Sequence, residues 1–506
     1  MNAPDSHPIL TSEATRALEA KLFGGDEAKE WAAMQRAGRA VAAAVLRDFE
    51  EIGGFPPQGR VLVLVGKGHN GGDAMIAARA IQEHFPQARA EVIFVFGDRA
   101  LRPLAARAWR EWVQGGSAGG PPGVTANAGG SPALPAYDLC LDGIFGFQFR
   151  PPAEPRVAEL IARVNALPIR LRAAVDLPSA GLFRADFTYA TGCVKTTVVG
   201  APEAGRVRYL DLGFFPDVAR GGDPRPGALN LATERVLTSA VLAPLAGFRV
   251  SSSDKRTFGH LFVVGGSRNY PGAVLMTVLA ALRSGAGLVT AFVPESLVPA
   301  FAAHAPEAMW VGWPETPGGG LALEGEHLLR VRLARATAMV LGPGLGREPE
   351  TLALAASIVG ASTVPVVIDA DALQPDIVRA GTMPRIVTPH AGEWMRIEAS
   401  VSGGAPVTQV RKGPVTRIVA GDGTVYHSFF GGPVLARGGS GDILAGLIGG
   451  LLAQTPDDPL LAAARGVVWH GCAADLLARA RGQLSVSVTQ LLDFLPAALR
   501  DSGHEQ

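Results

Sequence analysis

Short, unbroken apolar runs that stop at a glycine or an aspartate are the feature that most narrows what this chain can fold into. Arg60–Val65 reads Arg-Val-Leu-Val-Leu-Val and runs into Gly66. Residues 137–141 and 171–175 end on Asp142 and Asp176, and His260–Val264 ends on Gly265. Ala338–Leu341 and residues 364–368 run into Gly342 and Asp369. A strand that is apolar at every position has to be covered on both faces, as in parallel sheets with helices on either side. Helical spacing over residues 11–48 and 74–84 supplies such helices, and further strands are expected at 91–96, 288–293 and 386–387. The fold class expected is α/β. In open α/β sheets ligands are taken at the carboxyl ends of the strands, which is where these Gly and Asp residues fall.

At 506 residues the chain is long enough for about two to four cores. Its apolar runs form two blocks, separated by a composition shift around Gly222-Asp-Pro-Arg-Pro-Gly227. The division expected is one domain over 1–216, a linker over 217–245 and a second domain over 246–506. Residues 114–135, rich in Gly, Pro, Ser and Ala, are expected to form a mobile surface loop. Lys plus Arg and Asp plus Glu both number 46, so no global field recruits nucleic acid or an anionic membrane. Apolar runs are interrupted by Gly, Pro or charge before membrane-spanning length, and with Asp5, Glu13, Glu19, Asp26 and Glu27 and no apolar core in the first 30 residues no signal peptide is expected. Cys140, Cys193 and Cys472 have unrelated spacings, which fits neither a disulfide framework nor a thiolate metal site. A cytoplasmic enzyme is expected, acting on small molecules with no nucleic-acid or membrane partner, and assembled as a homo-oligomer.

The strongest chemical signal is Ala436-Arg-Gly438-Gly439-Ser440-Gly441-Asp442, followed by an apolar run to Leu452. A glycine turn opening a helix gathers unpaired backbone N–H groups at the positive end of the helix dipole, which makes an anion site. Asp442 would repel a resting phosphate. It makes sense beside an anion that forms during reaction, as the base that takes a proton from the attacking hydroxyl. The plainer reading is an acidic residue in the first turn of a helix.

In the first block, Gly66-Lys-Gly-His-Asn70-Gly-Gly-Asp73 offers backbone donors, an amide oxygen and a carboxylate. Asp142, Asp176 and Ser179 bring more oxygens to the same sheet edge, and oxygen-only ligands suit a hard cation. Each Asp taken alone reads more readily as a loop cap, and it is three of them on successive strand ends that shift the balance toward a site. The strings Asn70-Gly-Gly-Asp73, Asp142-Gly-Ile-Phe-Gly146, Val175-Asp-Leu-Pro-Ser179 and Ala185-Asp-x-Thr188 together resemble the NAD(P)H-hydrate epimerase domain. That domain interconverts the R and S forms of nicotinamide cofactors hydrated at C6. The resemblance implies a Rossmann-like three-layer αβα domain and a potassium ion held by Asn70, Asp142 and Ser179. It implies a hydrate site lined by His69, Asn70, Gly71, Gly72, Asp73, Gly146 and Asp176. Asp176 and Lys195 are the implied proton-transfer pair.

In the second block, Gly265-Gly-Ser267, Tyr270-Pro-Gly-Ala273, Leu341-Gly-Pro-Gly-Leu-Gly346, Asp369-Ala-Asp371 and Thr388-Pro-His390-x-Gly-Glu393 follow in order. With the anion loop, these resemble the ADP/ATP-dependent NAD(P)H-hydrate dehydratase, a branch of the ribokinase-like superfamily. The implied domain is a ribokinase-like αβα sandwich. The implied reaction phosphorylates the C6 hydroxyl of S-NADHX or S-NADPHX at the expense of ADP or ATP, with Mg²⁺, then eliminates phosphate. Asp442 would be the base, and Ala273, Gly344, His390 and Asp442 would contact the hydrate. Lys412, Gly413, Pro414, Val415 and Thr416, with Gly438, Gly439, Ser440 and Gly441, would hold the nucleotide. ADP is the expected donor. Between Glu393 and Lys412 the chain is shorter than the family pattern, as if a helix and part of a strand were missing. Two other readings fit the same loop: a ribokinase-like vitamin kinase that keeps its phosphorylated product, and a nucleotide-binding protein with weakened catalysis.

Overall fold

Alternation along the apolar runs sorts their side chains onto two faces. Val61, Val63 and Val65 join one buried cluster, while Leu62 and Leu64 join another. Leu261 and Val263 separate in the same way from Phe262 and Val264. Each sheet is therefore the middle of three layers, because neighbouring strand residues point to opposite sides and both sides are covered. These positions come from a computed structural model, which describes residues 3–115, 123–125, 136–215, 233–401 and 406–501.

The chain divides into two compact units. The amino-terminal unit comprises His7–Ala232 with Arg479–Gln483. Its sheet is parallel throughout, in the spatial order Gly123–Thr125, Arg89–Phe94, Arg60–Val65, Tyr137–Gly143, Ile169–Val175, Phe187–Thr191, Arg206–Leu210. The chain starts at Arg60–Val65, builds outward on one side, then returns to build on the other. A crevice opens at such a switch point, above the carboxyl ends of Arg60–Val65 and Tyr137–Gly143. Gly123–Thr125 pairs with Arg89–Phe94 inside the stretch expected to be a loop; most of that stretch lies outside the described residues. Helix Glu27–Phe49 is capped by Asp26, whose Oδ1 accepts from Ala28 N and Lys29 N at 3.0 and 3.2 Å. Its buried residues Trp31, Met34, Gly38, Val41, Val45 and Phe49 recur every three or four positions and face helix His69–His84.

The carboxy-terminal unit comprises Met1–Ser6, Thr233–Ala478 and Leu484–Gln506. Its parallel strands run Met309–Trp313, Leu288–Pro294, His260–Val264, Ala338–Leu341, Val366–Ile368, Arg385–Val387 and Val407–Arg411. Thr416–Val419 and Val425–Ser428 extend the sheet antiparallel, and Glu234–Leu237 adds parallel to the latter. The switch point here lies between His260–Val264 and Ala338–Leu341. Of the segment read as linker, Glu234–Leu237 is thus a paired strand and Ser239–Ala246 a 3₁₀ helix, while residues 217–232 lie outside the described residues. The shortened stretch after Glu393 still forms helix Ala391–Ile397 and a strand, Val407–Arg411, in register with Arg385–Val387. Helix Pro459–Arg481 is long and apolar enough to cross a membrane by length and composition, contrary to the reading of interrupted runs, but 78% of its most apolar window is buried.

Candidate functional site

In the amino-terminal unit, Gly66 to Gly68 turn the chain from strand Arg60–Val65 into helix His69–His84, which has no side-chain cap. Its first-turn N–H groups are left for a ligand. The helix start presses against the end of Tyr137–Gly143: a Cβ on Gly143 would come within 2.5 Å of the Asn70 carbonyl. Only glycine allows that approach. Asn70 Nδ2 donates to Val175 O at 2.9 Å and Phe145 O at 3.1 Å, so the amide oxygen turns toward Gly146. Phe145 N donates in turn to Ser179 Oγ at 2.9 Å. Ser179 Oγ donates to Asp142 Oδ1 at 2.6 Å, and Ser179 N to Asp142 Oδ2 at 2.8 Å. Asn70, Asp142 and Ser179 therefore stand in one connected group. Asp142 is fully buried, and burial pushes its carboxyl up to about 6 against the hydrogen bonds from Ser179.

A cavity of about 590 Å³ opens on this edge, lined among others by Glu19, His69, Asn70, Asp73, Asp176 and Lys195. Lys195 Nζ bonds Asp176 Oδ1, and also donates to Cys193 O at 3.1 Å. Both side chains are almost wholly buried. Burial works to lower the lysine pKa, but the Asp176 carboxylate outweighs it and holds Lys195 above its ordinary value. Asp176 sits at φ +71°, a conformation costly for a residue with a Cβ, with its N–H donating to Tyr189 O at 2.8 Å. Such outliers persist where surroundings force them and often mark functional groups. Burial, with Asp176 and Glu19 nearby, pushes Asp73 well above the carboxylate range, and its Oδ1 has no hydrogen-bond partner among the described residues. Gly146 lines the cavity, whereas Gly71 and Gly72 are buried beneath it, against Gly66 O and the Met34 side chain. The sequence pattern missed Glu19, which reaches the cavity from helix Ser12–Phe23. Nothing in its local sequence separates it from any other helical glutamate.

In the carboxy-terminal unit, Asp369 follows strand Val366–Ile368 and is 1% exposed. It accepts from Lys412 Nζ at 2.9 Å and Thr388 Oγ1 at 2.6 Å. Lys412 N is itself fixed to Pro389 O at 2.8 Å. Burial opposes the charge on Lys412, and Asp369 restores it and raises its pKa. The ammonium lies 3.1 Å from where a Cβ on Gly441 would stand, so cation and glycine loop share one place. Gly439 takes φ +95° at the N-cap of helix Ser440–Gln454. Asp442, in the first turn, is pushed up to about 7 by burial and by the Asp369 carboxylate, with Lys412 acting against them. Thr277 Oγ1 lies 3.1 Å from Ala273 O and 3.0 Å from Asp442 O, tying helix Pro271–Arg283 to this turn. A Cβ on Gly344 would meet that of Ala273 at 3.1 Å.

His390 caps helix Ala391–Ile397: its Nδ1 accepts from Gly392 N and Glu393 N, while Glu393 Oε2 accepts from His390 N at 2.8 Å. Its side chain is 62% exposed, so capping leaves the ring accessible. Lys412 to Val415 form the turn between antiparallel strands, with Gly413 and Pro414 exposed and Thr416 opening the next strand. His470, unmarked in the sequence reading, is buried close to the Ser440 backbone, and burial pushes it down to about 4. Among the described residues no three His, Cys, Asp or Glu side chains gather as a metal cluster.

Two family models match the chain: "NAD(P)H-hydrate dehydratase" over residues 261–497 and "YjeF-related protein N-terminus" over residues 31–201. A bifunctional NAD(P)H-hydrate repair enzyme of Gloeobacter violaceus is 37% identical over 97% of this chain and 98% of its own. Its namesake in Moorella thermoacetica is 34% identical, over 93% of each. Among solved structures, a ribokinase-like superfamily protein from Enterococcus faecalis is 28% identical, covering 53% of this chain and 96% of its own at a TM-score of 0.47. An ADP/ATP-dependent NAD(P)H-hydrate dehydratase from Bacillus subtilis, co-crystallised with ATP/Mg²⁺, is 28% identical, with coverages of 50% and 94% and a TM-score of 0.42.

Proposed function

The chain belongs to the bifunctional NAD(P)H-hydrate repair enzymes, with epimerase and dehydratase activities, and we propose from that premise how its two units divide the work. The amino-terminal unit interconverts R- and S-NAD(P)HX. The carboxy-terminal unit returns the S form to NAD(P)H at the expense of ADP or ATP. Epimerisation then feeds the otherwise unusable R form into dehydration.

The observation that carries the dehydratase reading is the Asp442 carboxylate, without a hydrogen-bond or ion-pair partner among the described residues, beside a glycine loop that already holds an ammonium. Asp442 takes the proton of the C6 hydroxyl as that oxygen attacks the terminal phosphoryl group. Amides of residues 438–441 and the Lys412 ammonium face the charge that builds on the phosphoryl oxygens, a positioning and electrostatic task. Phosphate then leaves C6, the C5 proton is lost, and the C5=C6 double bond is restored. Ala273, Gly344 and His390 border the hydrate, and residues 412–416 the nucleotide. Among the described residues no three acidic or imidazole side chains cluster, which fits Mg²⁺ carried on the nucleotide phosphates better than a protein-built cage.

In the amino-terminal unit, Asp176 and Lys195 face the C6 centre as carboxylate and ammonium, with His69, Asn70, Asp73 and Gly146 around the hydrate. The group of Asn70, Asp142 and Ser179 fits potassium. A fully buried carboxylate hydrogen-bonded, among the described residues, only to Ser179 and Ile144, next to neutral oxygens, suits one hard positive charge. The ion would neutralise Asp142 and fix the Phe145 to Gly146 backbone.

The test is absorbance at 340 nm on mixed R- and S-NADHX with Mg²⁺, K⁺ and ADP or ATP. Recovery of the whole hydrated pool faster than spontaneous epimerisation is expected. Recovery of the S fraction alone overturns the epimerase half, and no nucleotide-dependent recovery overturns the dehydratase half.

A further inference from the structure

The acids of the amino-terminal cavity are not equivalent. Asp176 is committed to Lys195, and Thr191 Oγ1 stands 3.4 Å from the same oxygen. Asp73 also lines the cavity, but its short side chain is buried in the first turns of its helix. Glu19 lines the same cavity, yet among the described residues no hydrogen bond or ion pair engages its carboxylate. Its helix, Ser12–Phe23, is anchored independently by Thr11, whose Oγ1 accepts from Ala14 N at 3.2 Å, and by Leu18 in the core. A long side chain held only at its base and aimed into a reaction cavity has the mobility that proton delivery needs.

Resting on the epimerase reading, we propose that Glu19 is a further catalytic residue of the amino-terminal unit, which protonates the departing C6 hydroxyl and takes the proton back when water returns. The Glu19 proton goes to the hydroxyl oxygen as the C6–O bond breaks, its electron pair leaving with the oxygen as water. The N1 lone pair closes to N1=C6, a cation that the Asp176 carboxylate faces. Water then adds to the opposite face of C6, N1 regains its lone pair, and the extra proton returns to Glu19. Nothing is consumed, as epimerisation requires.

The electrostatics agree. Burial pushes the Glu19 carboxyl up to about 7, with Asp176 and Glu30 adding to the shift and Lys195 and Arg16 opposing it. Asp73, from helix His69–His84, and Cys193 also act on it, and Lys67, His69, Arg102 and Glu154 line the same cavity. An acid near neutrality exchanges protons most effectively at neutral pH. Lys195, held above its ordinary value by Asp176, is a poorer donor.

The test uses full-length protein and R-NADHX without nucleotide, following the R-to-S ratio by chromatography, with 340 nm recovery from S-NADHX plus nucleotide as the control. Glu19→Gln is expected to lower the epimerisation kcat by about 100-fold or more, with little change in KM and unchanged S-NADHX recovery. The wild-type rate should fall as pH rises through 7, and Glu19→Gln should lack that limb. Glu19→Asp should restore part of the rate and the limb together. A wild-type rate in Glu19→Gln, or a slower variant that keeps the same limb, overturns the proposal. A wild-type protein that fails to accelerate R-to-S conversion would instead overturn the epimerase reading.

Discussion

Both units place a buried aspartate–lysine pair at the carboxyl edge of a sheet, but the pairs differ in what surrounds them. Asp176 and Lys195 are 4% and 3% exposed, closed against each other at the wall of a cavity. Asp369 is as deeply buried, yet Lys412 is 21% exposed and reaches beyond its partner to the glycine loop. In each unit a second carboxylate, Glu19 or Asp442, stands outside the pair and is pushed up to about 7, chiefly by burial. The comparison teaches that an ion pair at a strand end does not define a reaction. What matters is the lone acid beside it and whether that acid faces an open cavity or a ring of backbone amides.

The largest effect that would break this comparison is on Asp442. As the base, Asp442→Asn should slow dehydration of S-NADHX by about 100- to 10,000-fold and leave R-to-S conversion intact. Dehydration by the wild type should lose about tenfold per pH unit below 7, because the base is then protonated. The same substitution should stabilise the carboxy-terminal unit. The folded state raises this carboxyl above its unfolded value, so its ionisation costs stability increasingly from about pH 4 and fully above 7. A higher melting temperature for Asp442→Asn at pH 8, but not at pH 4, is the calorimetric signature.

Next in size is the ion pair. Lys195→Met strands Asp176 in the interior and should cost about 3–5 kcal/mol by denaturant unfolding of the amino-terminal unit. Lys412→Met should cost less, since water reaches its position; equal losses would remove the distinction between the two pairs. Gly439→Ala forces a side chain onto φ +95° and against Met276 Sδ, and should destabilise by about 1–2 kcal/mol while weakening nucleotide binding. The smallest effect is Asp26→Ala, about 1 kcal/mol from loss of the helix cap, with both activities preserved.

Strands such as Arg60–Val65 and His260–Val264 were legible because doubly covered parallel strands are apolar at every position. Val407–Arg411, Thr416–Val419 and Val425–Ser428 escaped, since their polar residues at a sheet margin give no such run. Glycines and aspartates at strand ends announced the site for the same topological reason: the switch point gathers them. Glu19 did not announce itself, because a helical glutamate becomes special only when folding brings Asp176 and Lys195 to it. Gly71 and Gly72 belonged to the right motif for a packing reason, filling space under the cavity and leaving its lining to their neighbours.

The room beside Gly441 has a consequence for how this loop can change. What borders it is an ammonium from a distant turn, 3.1 Å from where a methyl group at 441 would stand, so that methyl would push the flexible end of Lys412 aside by a few tenths of an ångström rather than distort the loop itself. Shortening the side chain at 412 would not answer such a lesion, because it strands Asp369 and removes the ammonium from the loop; the lysine has to shift while keeping both contacts. The two positions are thereby bound into a single inherited unit, although no covalent or helical neighbourhood connects them.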